Sequence, residues 1–318
     1  MASNRRRVVR TNGEITGMKR SDQANLASNT KRILESPSYR IASEDPDFIK
    51  STFGLETRVL AEYTKVERSL EAERVVSTVI VFGSARIKSP EAAKQAYDDA
   101  KAKAELAPQD AELAAELKKA EGDLKTSKYY QTAREFGELI ANKSAIVNEE
   151  VNARGEIRVS RDQNMVVCTG GGPGIMEAAN RGAYDAGKST IGLNIFLPFE
   201  QAPNPFISPN LCFNFQFFPV RKQHFLQRAT ALAAFPGGFG TFDELFETLT
   251  LVQTGKLPQI PILLFGEDFW RKAVNFDFLI ETGVISPSDL SLFHFVETAE
   301  EGWEVLVNFY EAKKNKIQ

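Results

Sequence analysis

The chain has 318 residues, of which 42% are hydrophobic, 25% charged and 10% aromatic, and its formal net charge is −3. That is enough for one large globular domain or two small ones, and the longest apolar runs, Val75–Gly83 and Pro261–Gly266, fall far below the ~20 residues of a membrane span. Two cysteines (Cys168, Cys212) and two histidines (His224, His294) exclude a disulfide framework and a multi-histidine metal centre, and no secretory leader follows the basic start, so a cytoplasmic protein without metal or membrane partner is expected.

Residues 1–40 hold nine Arg/Lys against three Asp/Glu and open on Arg5-Arg6-Arg7, leaving −9 for the rest of the chain. Their lack of apolar periodicity predicts a disordered basic tail. A nucleic-acid arm would need interleaved aromatics or a structured basic surface, and the segment has neither. Residues 41–74 form an N-terminal helical extension, with Phe48, Phe53, Leu55, Val59, Leu60 and Tyr63 at roughly helical spacing.

The domain over 75–318 opens on Val75–Phe82, a β-branched run that stops at Gly83-Ser84 and reads as a strand buried on both faces. Similar runs follow at Met165–Thr169, Thr190–Ile195, Phe213–Phe218, Leu232–Phe235 and Ile262–Phe265. Helical stretches separate most of them, at Gly174–Ala186, Val220–Ala229, Phe242–Gln253 and Asp268–Glu281. This alternation predicts an α/β fold, an open doubly wound, mostly parallel sheet with helices on both faces. Two insertions interrupt it. One is a helical hairpin over 89–128, started by Ser89-Pro90-Glu91 and broken at Pro108-Gln109-Asp110; the other is a polar stretch over 147–164. Ligands of such sheets sit beyond the carboxyl ends of the strands, here after Phe82, Thr169, Phe218 and Phe235.

Each of those places carries chemistry. Cys168-Thr169-Gly170-Gly171-Gly172-Pro173-Gly174-Ile175-Met176-Glu177 runs from a strand through a glycine turn into a helix, the arrangement that brings free N–H groups and a dipole end to an anion. Its spacing is not G-x-G-x-x-G, no acidic residue ends the next strand, and no G-x-x-x-x-G-K-[ST] loop is present, so neither a dinucleotide fingerprint nor a Walker-type site is expected. Taken alone, the turn reads equally as phosphate loop or tight turn. Phe235-Pro236-Gly237-Gly238-Phe239-Gly240-Thr241-Phe242-Asp243-Glu244 repeats the pattern, and two such loops at neighbouring strand ends would converge on one small anion. Thr241 and Glu244 also spell a capping box, a purely structural use for the acid. Arg221-Lys222 follows the aromatic strand and can neutralise phosphate or assist a leaving group. Gly83-Ser84 closes the first strand at the same edge, and its residues could contact phosphate or simply turn the chain. His224 is expected to pack or hydrogen-bond within its helix, and the two cysteines to fill strands.

Gly171–Glu177, Arg221-Lys222 and Pro236–Glu244 together resemble the LOG ("Lonely Guy") family, proteins once mislabelled lysine decarboxylases, through the long P-G-G-x-G-T-x-x-E motif. The resemblance extends from about Val75 to about Tyr310, and Ile191–Ile195 and Gln253–Lys256 look like the longer bacterial members. It implies a Rossmann-like fold, a homodimer or higher homo-oligomer, no cofactor, and hydrolysis of the N-glycosidic bond of a nucleoside 5′-monophosphate. The substrate would be AMP or a cytokinin riboside monophosphate, and the products the free base and ribose 5-phosphate. By motif position Arg221 and Glu244 are the catalytic pair. Substrate contacts fall to Gly83, Ser84, Gly171, Gly172, Gly174, Met176, Glu177, Lys222, Gly237, Gly238, Gly240 and Thr241.

The residues fit that chemistry. An oxocarbenium-like transition state needs a carboxylate near C1′, an electropositive group near the departing base and an anchor for the phosphate. Glu244, Arg221 (with Lys222 in support) and the Gly237–Thr241 loop would fill these tasks. The competing expectation is a non-catalytic nucleotide or molybdenum-cofactor carrier of the same fold, which would not need both Arg221 and Glu244. An amino-acid decarboxylase commonly needs a pyridoxal-binding lysine, and none sits on the glycine loops.

Overall fold

The computed structural model describes residues 20–143, 165–197 and 202–315, apart from the side chains of residues 20–24 and 314. The polar stretch at 147–164 and the first 19 residues of the basic tail lie outside the described residues.

Contacts divide the chain into two units, Met1–Leu60 and Ala61–Gln318. The first contains helix α1 (Arg20–Glu35), which lies inside the stretch read as a tail, and the short α2 (Pro46–Lys50). Asp45 starts α2 by accepting from the backbone N–H groups of Asp47 (3.1 Å) and Phe48 (3.2 Å), with Pro46 supplying a preset first turn. The boundary between the units falls within α3 (Leu55–Ala72).

The second unit is built on seven strands: β1 (Thr78–Phe82), β2 (Val166–Thr169), β3 (Thr190–Ile195), β4 (Cys212–Phe215), β5 (Ala229–Ala234), β6 (Ile262–Phe265) and β7 (His294–Val296). They form one parallel sheet in the order β4-β3-β2-β1-β5-β6-β7. All five residues of β1 are buried, as a strand covered on both faces requires. The fold is the open, doubly wound parallel sheet that the strand–helix alternation implies, Rossmann-like as the family resemblance implies. Its strand order reverses between β1 and β5, the switch point at which such sheets bind ligands.

One face is covered by α5 (Ala111–Lys143), α6 (Ile175–Asp185) and α11 (Ala299–Asn315), whose Phe136, Ile140, Ala179 and Leu306 pack into one core with Val79, Val81, Val167 and Leu263. Helix α4 (Pro90–Leu106) pairs with the first part of α5, where Lys103 bonds Glu116 at 3.0 Å. The hairpin does not end at residue 128. Helix α5 runs on as the crossover from β1 to β2, because from Tyr130 onward its apolar residues become buried. On the other face Phe82 packs edge-on to Phe225 of α7 (Phe218–Gln227), with 4.9 Å between ring centroids.

Several boundaries shift from those expected. The aromatic run read as strand through Phe218 ends at Phe215. Glu62 of α3 accepts the N–H groups of Gln216 (2.7 Å) and Phe217 (3.1 Å), and Pro219 has no N–H to offer, so the chain turns into α7. The helix read at 268–281 is two, α9 (Glu267–Ala273) and α10 (Phe276–Glu281), because Asn275 caps a fresh start by accepting from Phe278 N–H at 3.0 Å. The three-residue β7 is too short to show a period in sequence.

Candidate active site

The two glycine loops do converge, and the link is a single residue. β2 and β5 flank β1, so the loops after them rise on either side of its exit. Ser84, two residues past the end of β1, donates its N–H to Pro236 O at 3.0 Å and accepts at its carbonyl from Ile175 N–H at 3.1 Å. One main-chain unit thus fixes the spacing of both loops. Gly174 (φ +71°) could hold no Cβ, which would run into Ser84 O, and a Cβ at Gly171 (φ +73°) would run into Asn194 Oδ1.

Beneath the first loop lies a buried polar network that motif reading did not find. Thr169 Oγ1 donates to Asn180 Oδ1 (2.7 Å) and accepts from Gly171 N–H (3.0 Å). Asn180 Nδ2 donates to Thr190 Oγ1 and to Ile191 O, the latter at 3.2 Å. Asn204 Nδ2 reaches Asn180 Oδ1 (2.9 Å) and Gly172 O (3.0 Å), and its own N–H bonds Gly171 O (2.9 Å). These bonds set the path of Gly170–Gly172 and return the chain after β3 to it. The one signal in sequence is an amide among the alanines of α6.

The second loop starts α8 (Phe239–Gln253) at Gly238, three residues earlier than a capping box would place it. Thr241 is therefore the third residue of the helix and does not cap it, and Glu244 is the sixth. The capping role suggested by their spacing fails, which leaves the burial of Glu244 without that structural reason. Burial pushes its carboxyl up to about 7, against the opposing pull of Lys222 and Arg221 and with a smaller push from Glu247 and Asp243.

Arg221 stands in α7 with Nε donating to Leu193 O at 2.6 Å and Nη2 to Gly170 O at 3.5 Å, and its guanidinium lies 5.1 Å from the Phe225 ring centroid. Desolvation draws its pKa down, while the Glu244 carboxylate holds it up. The expected catalytic pair is thus electrostatically coupled. Lys222 points elsewhere: Nζ bridges Asp243 (2.8 Å) and Glu247 (2.9 Å), the two α8 carboxylates on either side of Glu244 in sequence. Glu177 accepts from the Tyr130 hydroxyl at 2.7 Å, on the α5 side. Phe239, in the glycine loop itself, is 96% exposed.

A cavity of about 770 Å³ opens beyond the ends of β2, β3 and β4. Its walls include Gly170, Gly172, Met176, Phe196, Leu197 and Phe213, with Arg221, Asn194 and Asn214 as polar members. The Pro236–Thr241 loop and Glu244 lie at the β5 side of Arg221 and are not among its walls. Gly83, Ser84, Gly174, Glu177 and Lys222 do not line it either.

Helix α3 holds the helix that carries Arg221. Besides Glu62 at its start, Glu67 receives both Arg228 Nη atoms (2.7 and 2.9 Å) and Gln227 Nε2 (3.1 Å) at its end. His224 sits between, 3.1 Å from Glu67 through Nδ1 and stacked on Tyr63 at 4.9 Å, so it packs as expected and does not face the cavity. Cys168 is buried, which pushes its thiol up. Among the described residues no group of three His, Cys, Asp or Glu could hold a metal ion, and no helix is long and apolar enough to cross a membrane.

A sequence-family profile described as "Possible lysine decarboxylase" matches residues 176–306. The chain is 28% identical over 184 residues to the probable cytokinin riboside 5′-monophosphate phosphoribohydrolase LOGL3 of Oryza sativa subsp. japonica, covering 55% of this chain and 82% of the relative. It is 26% identical over 181 residues to the cytokinin riboside 5′-monophosphate phosphoribohydrolase LOG3 of Arabidopsis thaliana, covering 56% and 82%. An X-ray structure of TM1055, a structural genomics target, aligns with 20% identity and a TM-score of 0.43 over 72% of this chain and 97% of its own. The resemblance to the LOG family read from the motifs is borne out by the profile and by these relatives.

Proposed function

We propose that this LOG-like chain is a phosphoribohydrolase that cleaves the N-glycosidic bond of a nucleoside 5′-monophosphate, AMP or a cytokinin riboside monophosphate, to free base and ribose 5-phosphate. The observation that carries the reading is the coupled pair of Arg221 and buried Glu244 beside two glycine loops tied to Ser84.

The phosphate docks on the Gly237–Thr241 loop, where the first N–H groups of α8 and its positive dipole end face an anion. Ser84 and Gly83 span the gap to the first loop, and the base lies past Arg221. As the C1′–N bond lengthens, positive charge grows on the ribose and electron density moves to the base. Glu244 stabilises the first and takes a proton from the water that attacks C1′; Arg221 stabilises the second. A carboxyl held near 7 is matched to proton transfer at neutral pH. The base leaves with the bonding pair and acquires a proton from solvent, so the balance is nucleotide plus water giving base plus sugar phosphate. Binding at the phosphate, remote from the broken bond, supplies the orientation. Lys222, engaged by Asp243 and Glu247, tethers α7 to α8 and tempers the charge on Glu244 in place of a direct phosphate contact.

The test is product analysis of purified protein with AMP and with adenosine. Release of adenine and ribose 5-phosphate from AMP alone supports the reading. Tight nucleotide binding without base release refutes it and leaves a carrier.

A further inference from the structure

The wall of the cavity farther from Glu244 carries two amides that no motif assigned. Asn194 and Asn214 are register partners on β3 and β4, so their side chains stand side by side on one face of the sheet, and both line the cavity. The orientation of Asn194 is set on one side. Its Oδ1 accepts from Cys212 Sγ at 3.8 Å and occupies the space that Gly171 leaves by having no Cβ. Its Nδ2 has no hydrogen-bond partner among the described residues, and half-burial leaves it open to the cavity. The rest of that wall is apolar, from Met176, Phe196, Leu197 and Phe213.

With its oxygen turned toward Cys212 and Gly171, the Asn194 amide offers the cavity its N–H donors. A largely apolar wall that carries a directed N–H suits a heteroaromatic ring that presents a ring nitrogen with a lone pair. Arg221 lines the same cavity, placing this wall next to the group that faces the leaving base. We propose that Asn194 is the base-recognition residue of this site, donating Nδ2–H to a ring nitrogen of the purine of the bound nucleotide. The assignment rests on the nucleotide reading given above. Asn214 brings a second amide to the same wall.

The experiment reads binding, so that intrinsic differences in leaving-group ability do not enter. Dissociation constants for AMP and for its 1-deaza, 3-deaza and 7-deaza analogues are measured by calorimetry on the Glu244→Gln protein, with and without Asn194→Ala or the near-isosteric Asn194→Asp. With Asn194 present, one analogue binds about tenfold more weakly than AMP, the value of one hydrogen bond in a sheltered site. With Asn194→Ala that penalty disappears while the other two analogues keep their affinities relative to AMP. Asn194→Asp, which turns a donor into an acceptor, lowers AMP affinity further than alanine does. Equal affinity of all three analogues for the Asn194 protein, or an equal loss for every nucleotide on Asn194→Ala, overturns the inference and leaves the nucleotide reading standing. Absence of AMP binding by the Asn194 protein overturns both.

Discussion

Replacing Glu244 by glutamine should make the protein more stable and less active at once. The carboxyl is buried and held near 7, whereas in the unfolded chain it titrates near 4.5. Between those values the folded state keeps a proton that the unfolded state has lost, so stability is full below about 4.5 and is lost as pH rises through about 7. At about 1.4 kcal/mol for each pH unit of that gap, ionised Glu244 costs the fold about 3 kcal/mol at pH 8. Glutamine mimics the neutral acid and escapes the cost. Urea denaturation of Glu244→Gln and of the parent at pH 8 should therefore differ by about 1 M in midpoint, for a slope of about 3 kcal/mol per M, and the difference should shrink toward zero near pH 4.5. Over the same change AMP turnover should fall about 100-fold or more, the loss typical of a missing general base. A variant equally stable at both pH values, or less stable at pH 8, would refute the burial argument and with it the matched general base.

In the parent, kcat/KM for AMP should fall tenfold per unit below about pH 7 as Glu244 protonates. Lys222→Met should move that limb to higher pH, because it removes a cation whose charge acts on Glu244 and uncovers Asp243 and Glu247, with Arg221 the remaining cation; Lys222→Arg should restore it. Gly171→Ala combines a positive φ with an overlap on Asn194 Oδ1, and thermal melting should report a loss of about 2 kcal/mol or more. Asn180→Leu strands polar groups of Thr169, Thr190 and Asn204 in a buried site and should cost about 3 kcal/mol by urea denaturation.

The strands and the two glycine loops were legible because each rests on local chemistry: β-branched runs, then glycines, then a helix. The same locality misplaced the start of α8. Thr241 and Glu244 have capping spacing, but Gly238 begins the helix and the acid is buried in its second turn. Lys222 looked like a partner of Arg221 for phosphate, since adjacency in sequence says nothing of direction around a helix; Asp243 and Glu247, some twenty residues on, decide where it points. What sequence concealed are the contacts made at long range by residues with no motif. Glu62 and Glu67 grip α7 across more than 150 residues of chain, and the Asn180 network joins the end of β2, the start of β3 and the loop that follows β3. Asn194 drew notice only within a family-like stretch, because a strand amide acquires meaning when a cavity opens beside it.

Since the amide and carbonyl of Ser84 pin both turns, the spacing between them is one residue of backbone and two hydrogen bonds. Side-chain replacement cannot lengthen that ruler. On the nucleotide reading, divergence toward other bases would proceed at the β3–β4 wall, through Phe196, Leu197, Phe213 and the amides beside them, while the two turns held by Ser84 stay common.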